Sequence, residues 1–192
     1  MKIRWARMET PVGPIVVAWS VHAVVFLDME AIVERQSWKT RMVREEPEAR
    51  MKSSLEKRFG GVELIPASST AGPMQKLARY FAGDVAALDA IAVNTAGTPF
   101  QEKIWKGLRR IPAGKTLTYG EIATKAGRPG AARGAGGAVG SNPIAIIIPC
   151  HRIIGANERL TGFGGGLVRK RWLLRHEGAT FRDDSPKQLQ LL

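Results

Sequence analysis

The sequence predicts an α/β N-terminal domain, a small β-sheet with helices, followed by a mainly α C-terminal domain with a winged-helix-like helix-turn-helix. Three observations carry that prediction. The first 30 residues hold three β-branched, apolar runs broken by short junctions. Residues 98–121 hold two helix-start signatures, and a glycine-rich segment follows them. The charge is lopsided: residues 1–100 carry 13 Lys/Arg against 11 Asp/Glu, whereas residues 101–192 carry 16 against 6, so nearly all of the net +12 sits in the second half.

Taken in order, "KIRWARME", "PIVVAWS" and "AVVFLDM" read as strands, separated by "TPVG" and "VH". Residues 31–68 are mixed and charged, with no firm assignment. "GPMQKLARYFAGD" (72–84) reads as a helix with Leu77, Tyr80 and Phe81 on one face and Gly83 as its stop. "ALDAIAVNTAG" reads as a linker, which places the domain boundary near residue 95: one unit over 1–95, a second over 96–182. The tail, 183–192, is expected to be flexible.

"TPFQ" (98–101) is a capping box with Thr98 as N-cap and Pro99 in the first helical position. Phe100, Ile104 and Leu108 recur every four residues behind it, so 99–110 is an amphipathic helix. "TYGE" (118–121) is a second capping box, opening a short helix closed by Gly127. "AARGAGGAVG" (131–140) is either a flexible loop or a thin helix. As a helix it holds Gly134, Gly136 and Gly137, each at a cost of about 1 kcal/mol relative to Ala. In a helix-turn-helix it is the recognition helix. "IAIII" (144–148) reads as a buried strand ended by Pro149. "RLTGFGGGL" is a glycine-rich loop: it lacks the continuation of a phosphate-binding loop, and a pocket lid is equally compatible. "LVRKRWLLRHEG" (167–178) is a helix with Leu167, Trp172, Leu173 and Leu174 apolar and basic residues between them.

Composition narrows the function classes. A chain of 192 residues that is 44% hydrophobic is globular, and no apolar run approaches a membrane span. The N-terminus has no continuous apolar stretch of the kind a signal peptide needs, so none is expected. A single cysteine excludes an internal disulfide and any paired-cysteine metal or redox motif, and fits a reducing, cytoplasmic setting. The basic second half fits a polyanionic partner, such as nucleic acid or an anionic membrane surface, and charge alone is equally compatible with a solvated basic face.

That one thiol, Cys150, stands in "IAIIIPCHRIIG" (144–155). A lone cysteine is most often a small buried hydrophobe. Here it follows Pro149 at the end of an apolar run, where a side chain can be presented. His151 and Arg152 beside it are electropositive, which favours the nucleophilic thiolate. Neighbours in extended chain point to opposite faces, so a direct Cys150–His151 bond needs a turn or a bridging water. Glu177 is the acceptor best placed in the sequence to orient His151. His176 reads as a helix C-terminal residue interacting with the dipole, and His22 as a packing residue.

"IIIPCHRIIG" resembles the active-site signature of the O6-alkylguanine-DNA alkyltransferases. "TPFQEKIWKGLRRIPAGKTLTYGEIA", "GAARGAGGAVGSNP" and "LTGFGGGLVRKRWLLRHEG" match that family in order and spacing. The resemblance covers residues 98–180 strongly and 1–95 loosely, through "METPVGPIVVA" and "RYFAGD". It implies a structural role for 1–95 and a DNA-binding, catalytic role for 96–182. It implies single-turnover transfer of an alkyl group from O6-alkylguanine in double-stranded DNA, with O4-alkylthymine a further candidate, to Cys150. His151 acts through a water as base, Glu177 orients His151, and Asn142 supports the active-site turn. Tyr119 assists nucleotide rotation and supplies a proton to the departing guanine. Arg133 fills the gap in the base stack, and Ala131, Ala132, Gly134 and Gly136 line the face toward the minor groove. Pro149, Leu160, Phe163, Gly164 and Gly165 wall the alkyl pocket. A monomer needing no metal and no cofactor is implied.

The chain departs from the family pattern at Ala113, where an aromatic is frequent, at Gly134-Ala135 after the arginine, and at Phe163-Gly164 in the pocket loop. These changes bear on pocket size, helix rigidity and a hydroxyl contact from residue 163. The main alternative is a non-catalytic binder of alkylated DNA; such proteins resemble this chain but lack the cysteine. A helix-turn-helix regulator with a redox-sensing cysteine leaves Asn142 and Glu177 without roles. A cysteine hydrolase fits poorly, since His directly follows Cys.

Overall fold

The computed structural model describes residues 1–30 and 47–183. Most of the expected tail therefore lies outside the described residues, as does 31–46 of the unassigned stretch.

The three predicted strands form β1 (Lys2–Met8), β2 (Ile15–Trp19) and β3 (Val24–Met29), joined as an antiparallel meander. Helix α1 (Pro47–Phe59) leads to β4 (Glu63–Pro66), which pairs parallel to β1, so the sheet order is β3-β2-β1-β4. Strand β2 is buried along its whole length. Its Val16 and Ala18 join Met51 and Leu55 of α1 in one apolar cluster. Ile15, Val17 and Trp19, on the opposite face, join a larger cluster that continues into the second half of the chain. That is why "IVVAW" shows no hydrophobic–polar alternation: both of its faces are covered.

Helix α2 spans Met74–Phe81, with Met74, Leu77 and Tyr80 buried. The segment expected as a linker is packed. It carries a short 3-10 helix, Val85–Leu88, and Ala87, Leu88, Ile91 and Thr95 are buried. Its backbone bonds the free edge of β3, Val24 donating to Ala92 and Asn94 to Val24. Pro143–Ala145 bonds the same edge at Leu27. An exposed strand edge is thereby closed off.

The second half begins with α3 (Pro99–Arg109), capped by Thr98 and Gln101 in the reciprocal bonds expected of a capping box. Thr98→Ala is expected to cost about 1 kcal/mol, seen by calorimetry as a melting temperature lower by about 2–4 °C. Thr118 and Glu121 form the same device on α4 (Tyr119–Lys125). The glycine-rich segment is helical, α5 (Ala132–Gly140), and packs on α3 and α4 as the second helix of the helix-turn-helix. Trp105 of α3 anchors it by an indole N–H bond to the Ala138 carbonyl, 2.8 Å. A parallel pair, β5 (Leu117–Thr118) and β6 (Ile153–Ile154), and a last helix, α6 (Leu167–His176), complete the fold.

Two sequence expectations are corrected here. "IAIII" is buried but is not a strand. Only Ile144 makes a bridge, to Leu27, and the chain then coils through consecutive turns, Ile147 to Ala145 and Ile148 to Ile144. Ile146 sits at φ 68°, a left-handed conformation that costs a β-branched residue about 1–3 kcal/mol. A short apolar run has no periodicity that separates strand from buried turn. The buried stripe of α6 is also different. Leu167 is exposed and Trp172 half-buried, while Arg169, Lys170 and Arg171 are buried. Arg169 bonds the Val12 carbonyl of the β1–β2 turn and Arg171 pairs with Asp183. With Arg152, four of the cations of the second half are inside the protein, so its basic excess is only partly a surface charge.

Candidate functional site

Cys150, His151 and Arg152 form one turn of 3-10 helix rather than the extended chain expected after a strand. With about three residues per turn, successive side chains point in well-separated directions. Cys150 takes one of them, into a cleft of about 1080 Å³ between the two halves of the chain. Its walls come from β3 (Phe26–Met29), α1, the start of α3, α5 and the glycine-rich loop.

His151 and Arg152 both reach Glu177, the residue that ends α6. His151 Nε2–H donates to Glu177 Oε1 at 3.0 Å. Arg152 grips the same carboxylate with two bonds, Nε to Oε2 at 2.7 Å and Nη2 to Oε1 at 2.9 Å, and its Nη1 bonds the Ile111 carbonyl. A carboxylate at a helix C-terminus faces the negative end of the dipole, so these donors are what make the position tolerable. Burial alone would push Glu177 up; the His151 hydrogen bond and the Arg152 pair outweigh it and hold the carboxyl well below the usual range. Burial holds His151 below its ordinary value, hence neutral at pH 7, against the opposing pull of Glu177. With Nε2 carrying the proton, Nδ1 is the basic lone pair; it is buried and bonded to no group among the described residues.

Cys150 is buried, 8% exposed as a residue. Burial pushes Cys150 up, against a side-chain hydrogen bond from Asn142, the charge of Lys170 and nearby backbone N–H groups. The resting group is therefore a thiol. The electropositive influence expected from Arg152 goes to Glu177 instead, and the cation that acts on Cys150 is Lys170.

Asn142 clamps the turn that carries Cys150. Its Oδ1 accepts from Ile144 N–H at 3.0 Å and its Nδ2 donates to the Ile148 carbonyl at 2.8 Å. Tyr119, half-buried at the first position of α4, stands over the cleft between α5 and the glycine-rich loop; a Cβ at Gly136 or Gly162 would come within 3.6–3.7 Å of its ring or hydroxyl. Gly136, Phe163, Gly164 and Gly165 also line the cleft. Leu160 and Pro149 do not; Pro149 is buried behind the cysteine turn. Ala132, Arg133 and Gly134 are exposed on α5, and Ala131 is half-buried at its N-cap. Ala113 faces a separate cavity of about 690 Å³ bordered by Trp105, Ile111 and Ile148, so its small size does not enlarge the Cys150 cleft.

Sequence reasoning missed two residues. Lys170 is fully buried, with Nζ donating to the carbonyls of Ile153 at 2.5 Å and Thr161 at 2.6 Å, and burial lowers it to about 8. It thus ties the glycine-rich loop to β6. The signal was present: Lys170, Leu173, Leu174 and Glu177 follow the i, i+3, i+4, i+7 spacing of one helix face. Tyr80, from the N-terminal half, donates its hydroxyl to Glu177 Oε1 at 2.8 Å; no local pattern connects residues 97 positions apart.

Residues 99–179 match the family model of the 6-O-methylguanine DNA methyltransferase DNA-binding domain. The chain is 44% identical over 172 residues, 90% of its own length and 94% of the other, to the methylated-DNA–protein-cysteine methyltransferase of Salmonella typhimurium. It is similar in structure to the O6-methylguanine methyltransferase of Mycobacterium tuberculosis, with a TM-score of 0.67 at 36% identity over 98% of both chains. A structure of that organism's OGT in complex with DNA gives 0.67 at 37% identity, covering 91% of this chain and 92% of that one.

Proposed function

The chain belongs to the methylated-DNA–protein-cysteine methyltransferases, and from that premise we propose that it repairs DNA by moving the alkyl group of O6-alkylguanine onto Cys150, once per molecule. The observation that carries this reading is the alignment of three groups: a thiol on the cleft wall, a neutral buried imidazole next to it in the chain, and a carboxylate fixing that imidazole with Nδ1 as its basic nitrogen.

In this reading the thiol proton leaves to His151 through a bridging water. The sulfur–carbon bond forms as the carbon–O6 bond breaks, the electron pair leaves with O6, and the base, still attached to its strand, becomes guanine, O6 as carbonyl, on regaining one proton with the help of Tyr119. The thioether has no neighbouring group able to cleave it, so the protein is consumed. Because Cys150 rests as a buried thiol, proton removal and attack belong to one event, which follows the seating of the substrate in the cleft. A base within a duplex cannot reach such a cleft, so the nucleotide is rotated out, at a few kcal/mol. Arg133, exposed on α5, fills the vacated stack.

The glycines of α5 support minor-groove docking of that helix. A Cβ at Gly134 or Gly136 would make only ordinary contacts at 3.7 Å, and one at Gly137 or Gly140 would meet nothing within 4 Å beyond its own helix among the described residues. Packing within the protein therefore does not demand them, although each weakens the helix. Close approach of an outside surface does. Phosphate affinity comes from exposed cations such as Lys125, Arg128 and Arg133, and falls with salt. We assign the structural role to 1–95 and the DNA-binding, catalytic role to 96–182, the protein acting as a monomer in the cytoplasm. Among the described residues no helix is long and apolar enough to cross a membrane.

The test is intact-protein mass measurement after incubation with duplex DNA containing O6-methylguanine. The expected result is a single methyl adduct located on Cys150, at no more than one per protein. An unmodified protein, or repeated turnover, rejects the reading.

A further inference from the structure

We propose that Tyr80 is a positioning residue for the reaction at Cys150: through its hydroxyl bond to Glu177 it weakens the carboxylate's hold on His151 and so tunes that imidazole for taking the thiol proton. The inference rests on the reading of Cys150, His151 and Glu177 given above and extends it to the N-terminal half of the chain.

One carboxylate oxygen is shared by three donors. Glu177 Oε1 accepts from Tyr80 OH at 2.8 Å, His151 Nε2 at 3.0 Å and Arg152 Nη2 at 2.9 Å. Each donor draws charge from the oxygen and weakens its hold on the others. The hydroxyl is fully buried, where an unbonded phenol is costly. Packing needs only the ring. Phe81 and His176 meet it edge-on at 5.2 and 5.0 Å, and His176, stacked on Trp172 at 4.7 Å, donates Nε2–H to the Tyr80 carbonyl at 2.7 Å. That aromatic group fixes α2 against α6 and aims the phenol at the carboxylate.

The charged and titratable groups facing His151 are Glu177 and Lys170 from α6 and Arg152 and Cys150 from its own turn. Those facing Tyr80 are Glu177, Arg152 and His176. Glu177 favours the imidazolium, whereas Arg152 and Lys170 oppose it. Tyr80 weakens the Glu177 pull without adding a charge, which moves the balance toward the neutral ring. Burial and the Glu177 charge both push the phenol up, so it stays a donor throughout the working range.

The experiment follows the His151 titration by ring-nitrogen NMR and the acid limb of single-turnover methyl transfer against pH, in the full chain. Tyr80→Phe keeps the ring and removes the donor. Both readouts are expected to move up by about 0.5–1 pH unit, since a hydrogen bond to a charged group is worth more than that and only part of it reaches His151. The chain has two tyrosines, Tyr80 and Tyr119. Fluorotyrosine incorporated into the Tyr119→Phe protein therefore makes Tyr80 alone a stronger donor, and the NMR titration is expected to move down. Opposite shifts from the two changes support the proposal. Titrations that match their parent proteins overturn it, and if Tyr80→Phe does not fold, the fluorotyrosine shift decides alone. Shifted titrations in a protein that transfers no methyl group even as wild type would instead reject the reaction assigned to Cys150, and the role of Tyr80 in it.

Discussion

Cys150→Ala is expected to abolish alkyl transfer completely while leaving the fold and DNA binding in place. Cys150 is the only thiol in the chain, so no second sulfur can take over. Truncating a small buried side chain costs about 1 kcal/mol in a well-packed site, which a domain of this size tolerates. The Asn142 clamp and the Glu177 network do not depend on the sulfur. Mass measurement with O6-methylguanine DNA should show no adduct, and gel shift should show retained affinity with the wild-type salt dependence. Transfer by this variant would remove Cys150 from its role; loss of binding would mean that the thiol is structural. A wild-type counterpart follows from burial, which holds Cys150 as a thiol. Alkylation by iodoacetamide at neutral pH should be slower than for a free cysteine, because only the thiolate reacts.

The second large effect is expected at Glu177. Glu177→Ala leaves the guanidinium of the buried Arg152 and the Tyr80 hydroxyl without their main acceptor. Breaking a buried pair from one side costs about 3–5 kcal/mol, or a melting temperature lower by roughly 10 °C for a chain of this length. Transfer should also slow strongly, as His151 loses the bond that fixes its tautomer. Glu177→Gln keeps an oxygen for Tyr80 and His151 and should fall between the two.

The pH dependence has a definite sign. His151 is held below its ordinary value, so the unfolded chain takes up a proton as pH falls below about 6.5 while the native one does not. Glu177 is likewise held below its unfolded value, so its contribution is complete above about 4.3 and is lost as pH falls further. Wild-type stability should decline in those two steps. In Glu177→Gln the second step should shrink, measured by urea unfolding at a series of pH values; an unchanged acid limb would show that Glu177 is not the group responsible.

Local chemistry was readable wherever one residue's neighbours in the chain are also its neighbours in space. Thr98 and Thr118 announced their helices because a capping box closes within four residues. The three N-terminal strands were readable because β-branched runs were broken by turns. The register of "IAIII" was not readable. Its backbone bonds go to Asn142, to Leu27 of β3 and to its own turns, and an all-apolar string looks alike in every such setting. The burial of the α6 cations is not readable either, for a related reason. Arg169, Lys170 and Arg171 find carbonyls and a carboxylate from three separate parts of the chain, and without those partners a basic run reads as a solvated face.

The sequence by itself determined the three N-terminal strands, the capped helices behind Thr98 and Thr118, the solitary nucleophile candidate and its placement beside an imidazole, because these depend on residue identity and short spacing. Only the tertiary structure decided how those groups behave. It folded Cys150–Arg152 as a 3-10 turn, sent Arg152 to Glu177 rather than to the thiol, and buried both thiol and imidazole in their neutral forms. It also brought Tyr80 and Lys170 to the site from other elements. Protonation states follow from desolvation and from charges a few ångströms away, and in a folded chain those neighbours come from anywhere along its length.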